Sequence, residues 1–185
     1  MTAGRSLPRM PGMSSTLRFA RHAAMAAALF CMAVPVLPQS PATYTVEIVV
    51  FRNGGNTGAL ADTQARPLIV GDDMEASAAG SRKLGGSVSR LNGSGFTVLG
   101  HAAWKQAPAG FQSMRGVSAA RLGVAGISGK VILERDRYLH LGFELIVEDG
   151  GRRYHLNQYR KQIRTGEVQY FDHPAIGILA IVTAD

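Results

Sequence analysis

Apolar and polar residues alternate along several segments of the chain, and this alternation predicts β-strands. The clearest case is segment 138–148, in which the apolar residues are Leu139, Leu141, Phe143, Leu145 and Val147. Tyr138, His140, Glu144 and Glu148 occupy the alternate positions. Because successive side chains of a strand point to opposite faces, the segment predicts a strand with one buried and one polar face.

Other segments have the same strand character. Residues 44–51 are rich in β-branched and aromatic side chains, as expected for a largely buried strand. Residues 130–134, 152–164 and 175–182 predict three more, and Asp149-Gly150-Gly151 predicts a hairpin turn before the second of these.

Segment 96–105 predicts a further strand with two distinct faces. We expect Phe96, Val98 and Trp104 to share one face. Thr97, His101 and Lys105 are expected on the other.

One segment has helical rather than strand periodicity. Between residues 72 and 91, four apolar residues follow helix-compatible spacing: Met74, Leu84, Val88 and Leu91. The glycine-containing segment 92–95 is expected to end this helix. Together these elements predict an α+β fold, a single domain with an antiparallel sheet of about five to six strands and one helix packed on one face.

The N-terminal segment has the features of a secretory signal peptide. Arg5, Arg9, Arg18 and Arg21 precede or flank the apolar run 23–37, which is short for a membrane-spanning helix. Small residues at 40 and 42 predict cleavage near Ala42. We therefore expect a signal peptide at 1–42, a periplasmic domain at 43–185, and no stable membrane insertion after cleavage.

Charge and cysteine content narrow the function classes. Residues 1–42 contain four Lys and Arg and no acid, so cleavage would lower the formal net charge from +7 to +3. A mildly basic exported domain is not expected to bind nucleic acid, although it suits an anionic envelope polymer. The only cysteine, Cys31, would leave with the signal peptide.

Catalytic and metal-binding patterns in the sequence are weak. The histidines at 101, 140, 155 and 173 lack the spacing of zinc ligands. Ser94 lies in a loop without a nucleophile elbow, and Glu144 and Glu148 are expected to be solvated strand residues. We therefore predict no enzyme activity, no metal and no cofactor.

The polar segment Tyr170–Pro174, directly before an apolar strand, is the strongest local candidate for function. Two interpretations remain open: a binding surface held against the core, or only a turn favoured by Asp-His-Pro. Exposed aromatic rings could stack on sugar rings, and arginines could bind anions. Trp104 could instead be buried in the core. The predicted ligand-binding residues are His101, Trp104, Tyr138, His140, Arg160, Arg164, Tyr170, Asp172 and His173.

Four separated blocks of the chain, at 44–51, 96–106, 129–141 and 166–177, together resemble the CsiV family. The chain departs from the family pattern at Gln169, where a His is typical, and in a shorter, Gly-rich middle. The resemblance implies a noncatalytic periplasmic protein that binds peptidoglycan and supports cell-wall assembly and cell shape. It also implies two partners, a lipoprotein activator and a class A penicillin-binding synthase. The alternatives are a periplasmic protein-docking module without glycan affinity and an envelope hydrolase.

Overall fold

A computed structural model describes residues 42–53 and 74–185. The predicted signal peptide lies almost entirely outside these residues, as does most of the predicted loop at 52–67. The strands are β1 Tyr44–Arg52, β2 Ser77–Ala78, β3 Thr97–Gln106, β4 Ala109–Gly110, β5 Val117–Ser118, β6 Ile127–Arg135, β7 Leu139–Asp149, β8 Arg152–Ile163, β9 Val168–Asp172 and β10 Ile176–Ala184. One α-helix, α1 at Gly85–Gly93, and a short 3₁₀ helix at Ala119–Leu122 complete the described elements.

The strands form two sheets, and this corrects the prediction of one sheet. Sheet A has the strand order β2-β3-β1-β10-β9, and all of its strand pairs are antiparallel. Sheet B has the order β4-β6-β7-β8, with β5 also paired to β6, and its short β4–β6 pair is parallel. The mostly β architecture with one helix agrees with the predicted elements, but their division between two sheets was not predicted.

A shared apolar core joins the inner faces of the two sheets. Sheet A contributes residues such as Ile48 and Ile178, and sheet B contributes the predicted apolar face of β7. At the centre, the rings of Phe143 and Phe171 meet edge to face with centroids 4.7 Å apart. All five apolar residues of the β7 alternation are buried, as predicted. Removing such rings and aliphatic chains from water is the main favourable term in folding.

Helix α1 covers part of the outer face of sheet A. It begins later than the predicted residue 72, because Ser77–Ala78 pairs with β3 as strand β2. Leu84, Val88 and Leu91 pack on a second apolar cluster that includes Val49 and Ile181. The helix ends at Gly93, and Gly95 follows with φ +82°, so the predicted terminator segment is confirmed. None of the helices in the described ranges is long and apolar enough to cross a membrane.

A β-bulge in β3 changes the faces predicted for this strand. Val50 pairs with Gly100, whereas the next residue, Phe51, pairs with Val98. The extra residue reverses the inward and outward positions beyond this point. Val98 therefore packs on the helix side of sheet A, and Trp104 packs in the inner core. The prediction that Val98 and Trp104 share a face is wrong for this reason.

The predicted hairpin between β7 and β8 is present. Asp149 pairs with Arg152, and the intervening Gly150 and Gly151 have φ values of +57° and +75°. Two consecutive residues with positive φ are the requirement of a type I′ turn, which glycine meets without steric cost.

Candidate functional site

The segment Tyr170–Pro174 spans the end of β9 and the turn into β10. Strand β9 is an edge strand of sheet A, and Phe171 alone of its residues is buried. Tyr170 pairs with Leu179, whose side chain faces the helix side, so Tyr170 lies on the outer face of sheet A. Phe171 thus anchors this segment to the core, whereas the Tyr170 ring stays exposed on the opposite face of the strand.

Tyr170 forms an exposed aromatic platform. Its ring is stacked at 18° on the ring of Phe51 with centroids 6.3 Å apart, and Phe96 meets Phe51 edge to face at 5.4 Å. Tyr170 is 45% exposed, and its hydroxyl donates a 2.6 Å hydrogen bond to Asp172 Oδ1. We call Phe51, Phe96, Tyr170 and Asp172 the tyrosine platform. It offers a flat apolar face with a polar edge, the combination that favours contact with sugar rings.

The backbone beneath the platform is fastened by side chains from β8. Lys161 Nζ donates to the Tyr170 carbonyl oxygen at 2.9 Å, and Gln158 Nε2 donates to the Asp172 carbonyl oxygen. Lys161 Nζ also lies 4.9 Å from the centroid of the Phe171 ring. These contacts occupy carbonyl groups of an edge strand that could otherwise pair with another chain. The Tyr170 ring itself remains exposed on the outer face of β9.

A shallow groove lies beside the platform, between α1 and sheet A. Its volume is about 200 Å³, and it is lined by Ser87, Arg90, Leu91, Ser94, Phe96 and Leu179. Phe96 belongs to both the groove and the platform. The groove therefore adds an apolar floor and a cationic side chain to the surface beside the Tyr170 ring.

The hydroxyl of Tyr170 has a raised pKa. Burial and the hydrogen bond and negative charge of Asp172 together raise the pKa of Tyr170 to about 12. Because the folded-state pKa is raised, the neutral phenol contributes stability that is fully present below the unfolded-state pKa. That contribution is lost as the pH rises from about 10 to about 12.

We expect Asp172→Asn to lower the pKa of Tyr170 from about 12 towards its ordinary value. The substitution removes the negative charge that opposes the phenolate, while burial, the largest cause, and an acceptor oxygen for the phenol hydroxyl remain. Spectrophotometric titration of tyrosine measures the change, and Tyr170→Phe assigns the signal by deleting it. An unchanged high-pH ionisation in Asp172→Asn would show that the carboxylate does not control this phenol.

His173 has an architectural role in the turn after β9. Its Nδ1 accepts a hydrogen bond from the Ala175 N–H at 3.2 Å, which places the ring proton of neutral His173 on Nε2. Asn53 Nδ2 donates to the carbonyl oxygens of His173 and Pro174 at 3.0 and 3.3 Å. Burial lowers the pKa of His173, against an opposing effect of Asp172. These contacts agree with the turn interpretation of Asp-His-Pro for His173, while Tyr170 and Asp172 remain on the surface.

Neither His101 nor Trp104 belongs to the tyrosine platform. His101 Nε2 lies 2.7 Å from Oε1 of the buried Glu47, near the start of α1. Trp104 is 3% exposed, and its Nε1 donates to Gln106 Oε1 at 2.6 Å. In this conformation the Trp104 ring belongs to the core and presents no face to a ligand.

Tyr138 and His140 lie on sheet B and are not brought to the platform. Tyr138 is 47% exposed, and the Arg137 guanidinium carbon lies 5.5 Å from its ring centroid. The His140 ring lies 5.0 Å from the Phe111 ring, and its Nδ1 lies 3.8 Å from Asp136 Oδ1. The predicted ligand-binding residues do not form one surface, because their strands are divided between two sheets.

The two predicted arginines follow or belong to β8. Arg164 Nη1 lies 3.7 Å from Glu167 Oε1 in the turn before β9, and its side chain is 82% exposed. Arg160 belongs to β8, but its side chain lies outside the described part of the structure. Arg164 is not joined to the platform by any contact in the described part of the chain.

A second surface was missed in the sequence. A cleft of about 930 Å³ lies beside β2 and β3 and is lined by Thr43, Met74, Glu75, Ala76, Ser77, Lys105, Gln106, Ala107, Arg115 and Arg121. We call it the cationic cleft. The sequence does indicate a basic region here, since residues 76–133 contain seven Lys and Arg and no Asp or Glu. Only the fold, however, places three of these cations around one opening.

Among the described residues, no group of three or more His, Cys, Asp or Glu side chains is arranged to hold a metal ion. Two carboxylates of β7 each lie near a cationic side chain. Lys130 Nζ lies 4.0 Å from Glu144 Oε2, and Arg153 Nε lies 3.5 Å from Glu148 Oε2.

Comparison of the chain with family models, curated proteins and solved structures gave no significant match.

Proposed function

We propose that the protein is a noncatalytic periplasmic peptidoglycan-binding protein that contributes to cell-wall assembly and cell shape. The observation that carries the proposal is the tyrosine platform, an exposed ring supported by Phe51 and fixed by the Tyr170–Asp172 hydrogen bond. The ring stacks on one face of a sugar, and the Asp172 carboxylate accepts hydrogen bonds from its hydroxyl groups.

Rigidity of the platform favours binding. Lys161 and Gln158 hold the backbone of β9, while Phe51 limits the orientations of the Tyr170 ring. A side chain that is already ordered loses little conformational freedom when a ligand binds, so less of the contact energy is spent on ordering it. The resemblance of the segment 166–177 to the CsiV family supports the same assignment.

The proposal extends to partners. On the basis of the resemblance, the protein modulates a class A penicillin-binding synthase through a lipoprotein activator while attached to the wall. Crosslinking in cells followed by identification of the captured proteins tests this part. Capture of other partners only, together with the absence of sacculus binding, would favour the protein-docking module instead.

Co-sedimentation with purified sacculi tests the central proposal. We expect Tyr170→Ala to weaken binding about tenfold or more, because one well-placed aromatic residue often dominates a small interface. Tyr159→Ala is the matched control, since Tyr159 is 39% exposed but lies on β8 of sheet B. Tyr170→Phe separates the ring from the hydroxyl and its hydrogen bond to Asp172.

Three results would contradict the proposal or a part of it. If the wild-type protein stays in the supernatant at low salt, where electrostatic attraction is strongest, peptidoglycan binding fails altogether. If the wild-type protein binds and Tyr170→Ala binds equally well while remaining folded, the platform is not the contact surface. Release of soluble muropeptides during incubation would instead support the envelope hydrolase.

A further inference from the structure

The cationic cleft has an asymmetric charge distribution. Among the described residues of its lining, Lys105, Arg115 and Arg121 are cationic and Glu75 is acidic. Lys105 Nζ lies 3.1 Å from Asp185 Oδ2 outside the cleft lining, so part of its charge is directed there. The described lining still carries more cationic than acidic side chains, which favours an anionic group, and Glu75 adds an acceptor for a cation on the same ligand.

The segment that contains Arg115 is organised by a buried carboxylate. Glu134 is 1% exposed and accepts hydrogen bonds from the N–H groups of Gln112 and Met114 at 3.2 and 2.8 Å. Both of these residues have positive φ, at +64° and +57°, which costs energy for residues other than glycine. The carboxylate therefore holds the loop in an otherwise unfavourable conformation, and Arg115 follows directly after it.

Arg121 is also held by regular local structure. It belongs to the 3₁₀ helix Ala119–Leu122, which ends where the Gly123 N–H donates to the Ala120 carbonyl oxygen at 3.3 Å. Gly123 has φ +67°, the left-handed conformation typical of a helix end. Both arginines thus project from anchored backbone rather than from long unstructured segments, which favours a defined binding site.

We infer that the cationic cleft binds the peptide stems of peptidoglycan through their carboxylates. This inference rests on the proposed function, and it assigns peptide recognition to the cleft and sugar recognition to the tyrosine platform. Guanidinium groups bind carboxylates in a forked geometry, so Arg115 and Arg121 supply the principal contacts. Glu75 receives the ammonium group of a diamino acid in the stem.

The size and walls of the cleft fit such a ligand. Its volume of about 930 Å³ accommodates several residues of a short peptide. Met74, Ala76 and Ala107 provide apolar surface for aliphatic parts of the stem.

Titration with the free stem tetrapeptide L-Ala-D-Glu-meso-diaminopimelate-D-Ala tests the inference. Nuclear magnetic resonance of the purified protein measures both the affinity and the residues affected. We expect shifts at the cleft and about tenfold weaker binding for Arg115→Gln or for Arg121→Gln. Arg115→Lys should recover part of the loss, since it keeps the charge but not the fork. Arg152→Gln is the matched control, because Arg152 is exposed at the β7–β8 hairpin.

Two further ligands make the test specific. The same tetrapeptide with amidated carboxylates should bind about tenfold more weakly, and triglutamate should bind more weakly than the stem peptide. Equal binding of triglutamate would overturn recognition of the stem, and shifts outside the cleft or no binding of the tetrapeptide would overturn the inference.

Peptide-free glycan strands distinguish this result from failure of the proposed function. If wild-type protein binds glycan strands but not the tetrapeptide, only the inference about the cleft fails. If it binds the tetrapeptide at the cleft but not sacculi or glycan strands, the inference about the ligand chemistry stands and the platform proposal fails.

Discussion

Glu47→Ala is expected to lower the free energy of unfolding by about 3 kcal/mol, because it removes a buried carboxylate with three hydrogen-bond partners. Glu47 is 2% exposed and lies on β1 beneath the start of α1. Its carboxylate oxygens accept hydrogen bonds from the backbone N–H groups of Lys83 at 2.6 Å and Leu84 at 2.8 Å. His101 Nε2 lies 2.7 Å from Glu47 Oε1.

The loss has a clear structural cause. Backbone N–H groups at the beginning of a helix have no partner within the helix, so Glu47 supplies one from the sheet. Leu84, the residue at the N-cap position of α1, has no side-chain group that could cap the helix in place of Glu47. Without Glu47, the start of α1 loses its hydrogen bonds to sheet A, and only the apolar contacts of Leu84, Val88 and Leu91 still hold the helix there.

Chemical denaturation measures the effect of Glu47→Ala, with Glu148→Ala as the matched control on an exposed strand position. Glu148 is 48% exposed and pairs with Arg153, so its loss should change stability by less than about 0.5 kcal/mol. Glu47→Gln keeps the shape but directs an amide group at backbone donors, and should also destabilise the protein. Equal stability of Glu47→Ala and Glu148→Ala would show that Glu47 does not anchor α1.

Glu134→Ala is expected to lower the free energy of unfolding by about 2 kcal/mol and to weaken binding at the cationic cleft. The substitution leaves the N–H groups of Gln112 and Met114 without the carboxylate that holds their positive-φ conformations. The cost is smaller than for Glu47, because this loop is more exposed and water can reach the released N–H groups.

Denaturation and tetrapeptide titration of the same Glu134→Ala sample separate stability from binding. Glu167→Ala is the control, since its side chain is 54% exposed in the turn before β9. We expect weaker tetrapeptide binding under conditions in which Glu134→Ala is still folded, because Arg115 loses its fixed position. Unchanged affinity in a folded Glu134→Ala protein would show that the carboxylate does not organise the cleft.

Much of the secondary structure could be predicted because short-range patterns determine it. The alternation in β7 requires an extended chain with one buried face, and the structure confirms that face. Gly150 and Gly151 are suited to a turn with positive φ, which the structure also contains. The start of α1 was predicted less well, because pairing of Ser77–Ala78 with β3 depends on a distant segment.

The tyrosine platform could be predicted only in part. The polar segment beside an apolar strand indicates Tyr170 and Asp172, and their contact follows from two-residue spacing on one strand face. Phe51 and Phe96 were not selected, since Phe51 approaches Tyr170 only through the pairing of β1 and β9 with β10. The sequence also indicates Trp104 as an aromatic candidate, but the bulge in β3 decides which face the Trp104 ring takes, and that face is buried.

The sequence by itself determined where most strands run, which face of β7 is apolar, and where the helix ends, because these features depend on neighbouring residues. Tertiary structure alone decided that the strands divide between two sheets, that a bulge moves Val98 to the helix side, and that Lys105, Arg115 and Arg121 surround one cleft. It also decided that Glu47 and Glu134 are buried against backbone N–H groups. The reason is that partners far apart in sequence meet only when packing of the two sheets removes the shared core from water.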